Sequence, residues 1–416
     1  MNRRQFLASA GVACAAPGAS STDLSIRCRQ DFPRALNETY FNSAAQHPLG
    51  NHTVRGMHRY IDFMHKGPGE GRADFWEHGF GEMKPMFARL IGAKPTEIAF
   101  CGSTTIGENL LINGMDFRGK NIVTNDLHYS ASLANYLERR KLGVEARIVK
   151  HKDWHVDLGD MERATDKNTG LIAVSWVSSV NGHVENLKGL SDLAHAHGGY
   201  LFADIIQGCG AVPLDVKASG VDMASCAMYK WLQGEHGYGF LYLREDLAGS
   251  VVKPTELTGH PEMNYPPWTD TPKPGQPELI SHAAKGAALL DCGTPSVITY
   301  AGQYESFKYI EQLGVGNIRA HARTLTASLR RQITALGGYQ CITPAGDPSS
   351  IITFRCADPA KTRRKLEEAN QQGRAKILLT GPNSALTVGR FGNHLRFSVS
   401  VFNNQHDIDT VASILS

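Results

Sequence analysis

The stretch GLIAVSWVSSVNGHVENLKGLSDLAHAHGGYLFADIIQ, residues 170–207, decides the fold class. It begins with the apolar run 170–179, which is typical of a strand buried on both faces. An amphipathic helix that ends in Gly-Gly follows at 187–199, and YLFAD at 200–204 is a second buried strand. Buried strands joined by a helix form a parallel unit, so this stretch predicts an α/β protein whose mainly parallel sheet is covered on both faces.

The same alternation extends in both directions along the chain. EIAF (97–100) and NIVTND (121–126) are predicted strands, each followed by a predicted helix, and the aromatic-rich GYGFLYLR (237–244) is a further strand candidate. Residues 249–285 are irregular and rich in proline, which is typical of a lid or an interface. Beyond Ser296 come helices and then the short strands SSIITFRCA and HLRFSVSVF, so we expect a smaller α+β domain with its boundary near residue 300.

The composition is that of an ordinary soluble globular protein. Of the 416 residues, 42% are apolar and 20% are charged, and a net charge of +3 gives no reason to expect nucleic acid or an anionic membrane as a partner. Runs of about 18 apolar residues, which a spanning helix needs, are missing from the sequence. The eight cysteines form no CxxC motif, so we expect buried free thiols and no metal site. A small-molecule substrate remains the expected partner.

The N-terminal stretch MNRRQFLASAGVACAAPGAS (1–20) has the layout of an export signal. Arg3-Arg4 precedes Phe-Leu and a short apolar run, and Ala13-Cys14-Ala15 offers a small-residue cleavage site. The pattern resembles the twin-arginine type, which exports folded proteins, and predicts a periplasmic or secreted location. A frayed helix with a chance arginine pair is the alternative, and a lipid anchor at Cys14 is disfavoured by Gly11.

Polar residues follow the predicted strands at the edge where parallel sheets bind ligands. Gly102-Ser103-Thr104-Thr105 opens a helix, and its free N–H groups, hydroxyls and positive helix end can form a phosphate cradle. Each of these residues alone also fits a structural role, such as a helix cap or a satisfied buried histidine. The residues that follow the later strands are His128, Ser178, Ser179, Asp204 and Gln207.

Lys230, within SCAMYKWLQGEHGYGFLYLR (225–244), is the residue that joins these features. Alone it could be a solvated loop lysine. Together with a phosphate cradle and a carboxylate it matches what pyridoxal 5′-phosphate (PLP) requires, namely a phosphate site, an acid at the pyridine nitrogen and a lysine for the Schiff base. An aspartate makes the ring an electron sink because its negative charge favours the protonated nitrogen. The sequence therefore predicts PLP as the cofactor.

The ordered segments of the chain resemble the class V aminotransferase family, which includes cysteine desulfurases, selenocysteine lyases and isopenicillin-N epimerase-like proteins. The resemblance runs from Tyr40 to the end of the chain. It implies the PLP-dependent transferase fold type I: a large domain at 38–300 with a mainly parallel sheet of seven-stranded type, and a small domain from 21–37 and 301–416. The segments that carry it are YFNSAAQHPL (40–49), GSTTIGENLL (102–111), ADIIQGCGAVPLDVKASGVDM (203–223), MYKWLQGEHGYGFLYL (228–243), CGTPS (292–296) and HLRFSVSVFNN (394–404).

The resemblance also implies roles for individual residues. Lys230 would be the Schiff-base lysine, Asp204 the partner of the pyridine nitrogen, and His128 the residue stacked on the ring. Arg396 would bind the substrate carboxylate. The remaining implied contacts are Gln207 with the phenolic oxygen of the cofactor, and Thr104 and Thr105 with its phosphate, helped by Thr294 of a second chain, which implies a homodimer.

The sequence departs from the family pattern at several places. Tyr229 stands where a phosphate-binding histidine often precedes the lysine, and its hydroxyl could substitute. Ser179 stands where desulfurases often have asparagine, and Ala227 where the family has serine, although Ser225 is near. Desulfurases need a cysteine shortly before the C-terminal arginine, and AKILLTGPNSALTVGRFGNHLR (375–396) contains none. A persulfide mechanism through that loop is therefore disfavoured.

The predicted function is that of an exported PLP enzyme acting on an amino acid or an amine-bearing peptide through Lys230. An aminotransferase-like reaction is the first expectation. Racemisation of the isopenicillin-N epimerase kind and C–S or C–Se lyase activity of the desulfurase kind are the alternatives, because fold and cofactor do not choose among them. A catalytically silent binding protein of the same fold is a further alternative, and a dinucleotide-binding oxidoreductase is disfavoured because no GxGxxG follows the first strand.

Overall fold

The computed structural model describes residues 23–72, 74–256, 262–280, 285–291, 293–346, 349–373, 386–387 and 393–416. The α-helices within these ranges are α1 Leu24–Cys28, α2 Pro33–Asn37, α3 Asn51–Lys66, α4 Phe75–His78, α5 Met83–Ile91, α6 Thr104–Asn113, α7 Ser130–Arg139, α8 Leu158–Ala164, α9 Leu187–Ala196, α10 Val297–Leu313, α11 Val315–Ala335, α12 Pro359–Gln371 and α13 Gln405–Leu415. The strands are β1 Ile98–Cys101, β2 Asn121–Asn125, β3 Glu145–Val149, β4 Thr169–Ser175, β5 Tyr200–Asp204, β6 Met223–Ala227, β7 Gly239–Leu243, β8 Glu262–Met263, β9 Leu279–Ile280, β10 Tyr339–Cys341, β11 Ile351–Cys356, β12 Leu386–Thr387 and β13 His394–Ser398.

A seven-stranded sheet forms the centre of the fold, in the order β1-β7-β6-β5-β4-β2-β3. The five strands from β6 to β3 in this order run parallel, and β7 runs antiparallel to both β1 and β6. The predicted α/β class with a mainly parallel sheet is therefore confirmed. Two strands of this sheet were not predicted: β3 (EARIV) carries charges at two of its five positions, and β6 (MASCA) consists mostly of small residues.

Helices cover both faces of this sheet, as its uninterrupted apolar strands predicted. All seven residues of β4 are buried. Ile172 packs into the core on one face, and its neighbours Leu171 and Ala173 pack into a separate core on the other. Because successive side chains of a strand point to opposite faces, a strand with apolar residues at consecutive positions needs both faces covered.

The C-terminal part has its own antiparallel sheet, in the order β10-β11-β13-β12. Leu329 of α11, Leu366 of α12 and Ile408 of α13 pack into one core with Phe354 and Phe397 of this sheet. This part has the predicted α+β composition. The helix α10 spans the predicted boundary near residue 300 and contributes to the core of the central sheet, and the division into two domains at that residue stays a prediction.

The proline-rich segment contains a short antiparallel pair, β8 with β9, in the ranges that the structure describes. Its predicted role as a lid or an interface stays a prediction. Six cysteines lie within the described residues and are thiols rather than disulfide partners of one another; all but Cys341 are buried. None of the helices in the described ranges combines the length and the apolar character needed to cross a bilayer. The predicted export signal, residues 1–20, lies outside the described residues.

Candidate functional site

The sheet brings the predicted site residues to one edge, at the carboxyl ends of its parallel strands. Ser175 at the end of β4, Asp204 at the end of β5 and Ser225 of β6 lie side by side in register. Lys230 follows three residues after the end of β6, and His128 three residues after the end of β2. This is the edge at which open α/β sheets bind their ligands.

Asp204 is a buried carboxylate, with only 3% of its surface exposed. Its Oδ1 accepts a hydrogen bond from the Ile206 amide at 3.0 Å, and its Oδ2 accepts one from the Ser175 hydroxyl at 3.4 Å. Burial raises the pKa of Asp204, while the Ile206 amide, the Lys230 ammonium and the Ser175 hydroxyl oppose that rise. A carboxylate in this setting gains most from a nearby positive charge, such as a protonated ring nitrogen.

Lys230 is also buried, at 8% exposure, which excludes the alternative of a solvated loop lysine. Burial lowers the pKa of Lys230 to about 8; the Asp204 carboxylate opposes this shift and the Arg396 guanidinium adds to it. A lysine with a lowered pKa is more often neutral near pH 7 than an ordinary one, and the neutral amine is the form that attacks a carbonyl carbon. The placement therefore suits a lysine that holds a cofactor covalently.

The loop after β1 presents a helix N-terminus, as predicted for a phosphate site. Ser103 caps α6 by accepting a hydrogen bond from the Ile106 amide at 3.2 Å. Thr104 and Thr105 are the first helical residues, so no carbonyl of the helix accepts from their N–H groups. The Thr104 hydroxyl oxygen accepts from the Ala227 amide at 2.9 Å, which ties α6 to the end of β6. The Thr104 hydroxyl keeps its own hydrogen as a donor, so the predicted contacts of Thr104 and of the half-buried Thr105 with a phosphate stay predictions.

The Gln207 side chain is buried, and both its amide nitrogen and its amide oxygen already form hydrogen bonds. Its Nε2 donates to the Ala44 carbonyl at 2.9 Å, and its Oε1 accepts from the Trp231 indole at 3.0 Å. The Nε2 group has a second hydrogen, so the predicted contact with the phenolic oxygen of the cofactor remains chemically possible. Trp231, which follows the lysine, thus orients Gln207.

Tyr229 lies half-buried beside Lys230, whose Nζ is 5.6 Å from the centre of the tyrosine ring. The ring stacks on His236, with 3.9 Å between ring centroids. Burial raises the pKa of Tyr229 to about 12, so the hydroxyl stays protonated and can donate a hydrogen bond to a phosphate. Its predicted substitution for the usual histidine stays a prediction.

Arg396, on β13, reaches from the small sheet to the end of β4. Its Nη1 donates to the Ser179 carbonyl at 2.8 Å, which brings these two predicted residues together. Burial lowers the pKa of Arg396 to about 10, so the guanidinium is still positive at neutral pH. A guanidinium carries several N–H donors, so one contact with a carbonyl leaves others for a substrate carboxylate. Thr294 is exposed in the loop before α10, and its role across a dimer stays a prediction.

Replacing Arg396 with glutamine is expected to raise KM for the amino acid substrate by about 10–150-fold with a smaller change in kcat. The substitution removes a charge-assisted contact worth about 1.5–3 kcal/mol, and about 1.4 kcal/mol corresponds to a tenfold change. Steady-state kinetics measure the effect. Arg355→Gln is the matched control, because Arg355 is exposed on the neighbouring strand β11; equal KM values for the two variants would contradict the assignment.

His128 lies in a buried chain of polar groups that the sequence analysis did not predict. Its Nδ1 is 2.8 Å from the Ser175 hydroxyl and its Nε2 is 3.2 Å from the Tyr136 hydroxyl. Tyr136 in turn donates to the Glu108 carboxylate. Burial lowers the pKa of His128 to about 3, so the ring is neutral. The predicted stacking of His128 on a cofactor ring stays a prediction.

These residues fit PLP by the chemistry of their donors. Lys230 offers an amine for the aldehyde carbon, Asp204 an anion for the ring nitrogen, and the α6 N-terminus a set of N–H groups for the phosphate. All three lie at one edge of one sheet, as a single ligand with these three groups requires. The sequence predicted each of them, and the missed residues are Glu108, Tyr136 and Ser175.

Comparison with known proteins gives the following matches. A family model described as aminotransferase class-V matches residues 40–411. A probable cysteine desulfurase of Methanothermobacter thermautotrophicus is 26% identical over 404 residues, which cover 93% of this chain and 96% of that protein. An uncharacterized aminotransferase, YcbU, of Bacillus subtilis is 26% identical over 345 residues, 82% of this chain and 87% of that protein.

Solved structures confirm the predicted fold type. The apo structure of a cysteine desulfurase from Thermococcus onnurineus NA1 matches with a TM-score of 0.77 at 23% identity, covering 94% of this chain and 96% of that one. The cystine C–S lyase C-DES, in complex with its product cysteine persulfide, matches with a TM-score of 0.77 at 18% identity. The match covers 92% of this chain and 98% of the C-DES chain. Another C-DES structure, in which one lysine is replaced by alanine, holds glycine covalently linked to the PLP cofactor.

Proposed function

This chain belongs to the class-V aminotransferase family, which is PLP-dependent, and from that premise we propose that it is a PLP-dependent lyase that cleaves a carbon–sulfur bond of an amino acid such as cystine. The observation that supports PLP catalysis is the joint burial of Lys230 and Asp204 at one edge of the sheet, and the names of the relatives support the cleavage of a carbon–sulfur bond. A surface-exposed pair would be screened by water and would shift neither proton equilibrium. A catalytically silent binding protein would not need to bear the cost of desolvating both charges.

The names of the relatives support the lyase alternative over the aminotransferase-like reaction that was expected first. Several relatives are named as cysteine desulfurases or probable cysteine desulfurases, among them IscS of Dictyoglomus turgidum, which is 30% identical over 242 residues. One fold neighbour is a cystine lyase that releases cysteine persulfide. Two further relatives, from Bacillus subtilis and Schizosaccharomyces pombe, are named as uncharacterized aminotransferases. Cleavage next to sulfur is therefore the reaction that these names favour.

The missing loop cysteine favours cystine over cysteine as the substrate. Residues 375–396 contain no cysteine that could accept sulfur from the substrate, although most of this segment lies outside the described residues. A disulfide substrate needs no such acceptor, since the departing sulfur leaves as part of a free persulfide. Buried thiols elsewhere, such as Cys226, have raised pKa values because burial disfavours the thiolate, and they make poor acceptors.

Each group at the sheet edge has a task in this reaction. Bound PLP would supply the electron sink for the charge that develops at the α carbon. Arg396 holds the substrate carboxylate, the Lys230 amine removes the proton from the α carbon, and Asp204 keeps a positive charge at the ring nitrogen. The Cα–H and Cβ–S bonds break and a Cα=Cβ bond forms. With one water molecule, the enamine product then gives pyruvate and ammonia, and the sulfur leaves as cysteine persulfide.

The proposed location agrees with this substrate. Disulfides persist in oxidising compartments, and a protein exported by the twin-arginine route would meet cystine there rather than cysteine. The signal-like residues 1–20 support export, and cell fractionation would test the location.

Thr294 in the CGTPS segment supports a homodimer in which each subunit contributes residues to the site of the other. Sedimentation would test the dimer.

The purified, PLP-loaded protein is expected to convert cystine into pyruvate, ammonia and cysteine persulfide in equal amounts. Mass spectrometry and an ammonia assay measure the three products. Alanine, which carries no leaving group on its β carbon, is the negative control substrate. Formation of alanine from cysteine would indicate a desulfurase with a protein-bound persulfide, and amino transfer to an added keto acid without release of ammonia would indicate an aminotransferase; either result would overturn the proposal.

A further inference from the structure

A continuous hydrogen-bonded chain connects Glu108, in the middle of α6, to Asp204 at the sheet edge. The chain runs from Glu108 to the Tyr136 hydroxyl, then to His128, then to the Ser175 hydroxyl and finally to Asp204. The distances are 3.2 Å from Tyr136 to His128, 2.8 Å from His128 to Ser175, and 3.4 Å from Ser175 to Asp204. All five side chains are buried, and none is more than 6% exposed.

The three hydrogen bonds that link Glu108 to Ser175 can each reverse their direction, and the bond from Ser175 to the Asp204 carboxylate is made in only one of the two arrangements. With Glu108 ionised, Tyr136 donates to the carboxylate and accepts from His128 Nε2–H, so His128 Nδ1 is the acceptor for the Ser175 hydroxyl. With Glu108 protonated, Glu108 donates to Tyr136, Tyr136 donates to Nε2, Nδ1–H donates to Ser175, and the Ser175 hydroxyl is free to donate to Asp204. Among the five hydrogen-bonded side chains only Glu108 changes its charge, yet the ring proton of His128 moves from one nitrogen to the other.

We propose that Glu108 is a positioning residue whose protonation state sets the tautomer of His128 and thereby decides whether Ser175 donates a hydrogen bond to Asp204. The proposal rests on the PLP site of the proposed function and is independent of the substrate. A second donor to Asp204 stabilises the carboxylate and weakens its hold on a proton at the ring nitrogen. The strength of the electron sink therefore depends on a residue that does not touch the cofactor.

Glu108 can change its protonation state in the physiological range. Burial raises its pKa to about 7, against the hydrogen bonds from Tyr136 and Ser132, while the Asp204 charge adds to the rise and the Arg139 charge opposes it. Ser132 donates to the second carboxylate oxygen at 2.7 Å and lies outside the chain to His128. His128 stays neutral over this range because burial holds its pKa at about 3, so only its tautomer can respond.

The tautomer of His128 is read directly by nitrogen-15 NMR of the full-length, PLP-loaded protein labelled at histidine, with the resonance assigned by its loss in His128→Gln. The wild type is expected to carry the proton on Nε2 above about pH 7 and on Nδ1 below it. In Glu108→Gln and in Tyr136→Phe the tautomer is expected to be the same at every pH. The first variant removes the titrating group, and the second breaks the chain while keeping Glu108.

Ser132→Ala is the matched control, because it removes a partner of Glu108 without interrupting the chain. It is expected to keep the tautomer change and to move its midpoint to higher pH, since the carboxylate loses a stabilising donor. A single His128 tautomer in the wild type at all pH values, or a pH-dependent tautomer in Glu108→Gln, would overturn the proposal. Absence of the visible PLP band with the tautomer change intact would overturn the PLP site instead, which keeps the two failures apart.

Discussion

Replacing Lys230 with alanine is expected to lower kcat by at least about 10²–10⁴-fold, the usual contribution of a positioned proton-transfer group. The amine is buried, and the Asp204 carboxylate acts on its pKa. The loss of kcat should be larger than that range if Lys230 also holds the cofactor, because the substitution then removes both the covalent attachment and the proton transfer. Single-turnover kinetics with saturating PLP and cystine measure the effect.

The fold should survive this substitution. Burial lowers the pKa of Lys230, which means that its charge is desolvated at a cost, and a smaller neutral side chain removes that cost. Lys188→Ala is the matched control, since Lys188 is exposed on α9 and pairs with Asp192 across one helical turn. Wild-type activity in Lys230→Ala, with an unchanged thermal unfolding curve, would contradict the assignment of Lys230.

Replacing Asp204 with asparagine is expected to lower kcat by about 10²–10³-fold, comparable to removing one preorganised electrostatic group from an active site. The amide has nearly the same shape, and its oxygen can still accept from the Ile206 amide. What is lost is the negative charge, so the ring nitrogen of the cofactor no longer gains from being protonated. Steady-state kinetics, with PLP content measured in parallel, test this prediction.

Asp222→Asn is the control for Asp204→Asn. Asp222 is an equally buried aspartate beside β6, but it precedes that strand, at the opposite edge of the sheet, where it pairs with Arg244 and His195. Its substitution is expected to lower the free energy of unfolding while kcat of the folded fraction stays near the wild-type value. An Asp204→Asn variant that keeps wild-type kcat would show that this carboxylate does not act on the ring nitrogen.

The central sheet could be predicted from the sequence because its inner strands are apolar at consecutive positions. Such strands, among them β4 and β5, are stable only when both faces are covered, and this condition leaves few folds other than a parallel sheet between helices. The strands β3 and β6 gave no such pattern. β3 is an outermost strand of the sheet and carries charges. β6 is buried because of its neighbours rather than because its own small residues are strongly apolar.

Several site residues were predictable because they lie at or just after the end of a predicted strand. Asp204 and Lys230 stand next to strands, so the topology alone brings them to one edge. Glu108 had a weak signal, because it is the one charged residue of α6 and lies on the buried face of that helix. Tyr136 had none, because a tyrosine on an amphipathic helix is ordinary, and its link to His128 exists only after α7 has packed against the sheet.

The reaction type was harder to predict from the sequence than the fold and the cofactor were. Sequence reasoning placed an aminotransferase-like reaction first, and the relatives named cysteine desulfurase favour the lyase alternative instead. The reason for the difference is physical. All of these reactions begin with the same proton removal, and they diverge only in which bond breaks next, which the pocket around the substrate side chain controls.

The most direct test of the account is to locate the cofactor. The purified protein should be treated with borohydride, which reduces a bond between PLP and a lysine to a stable linkage, then digested and mapped by mass spectrometry. We predict one modified peptide, with the pyridoxyl group on Lys230. A protein that carries no pyridoxyl group after incubation with PLP, or one that carries it on another lysine, would contradict it.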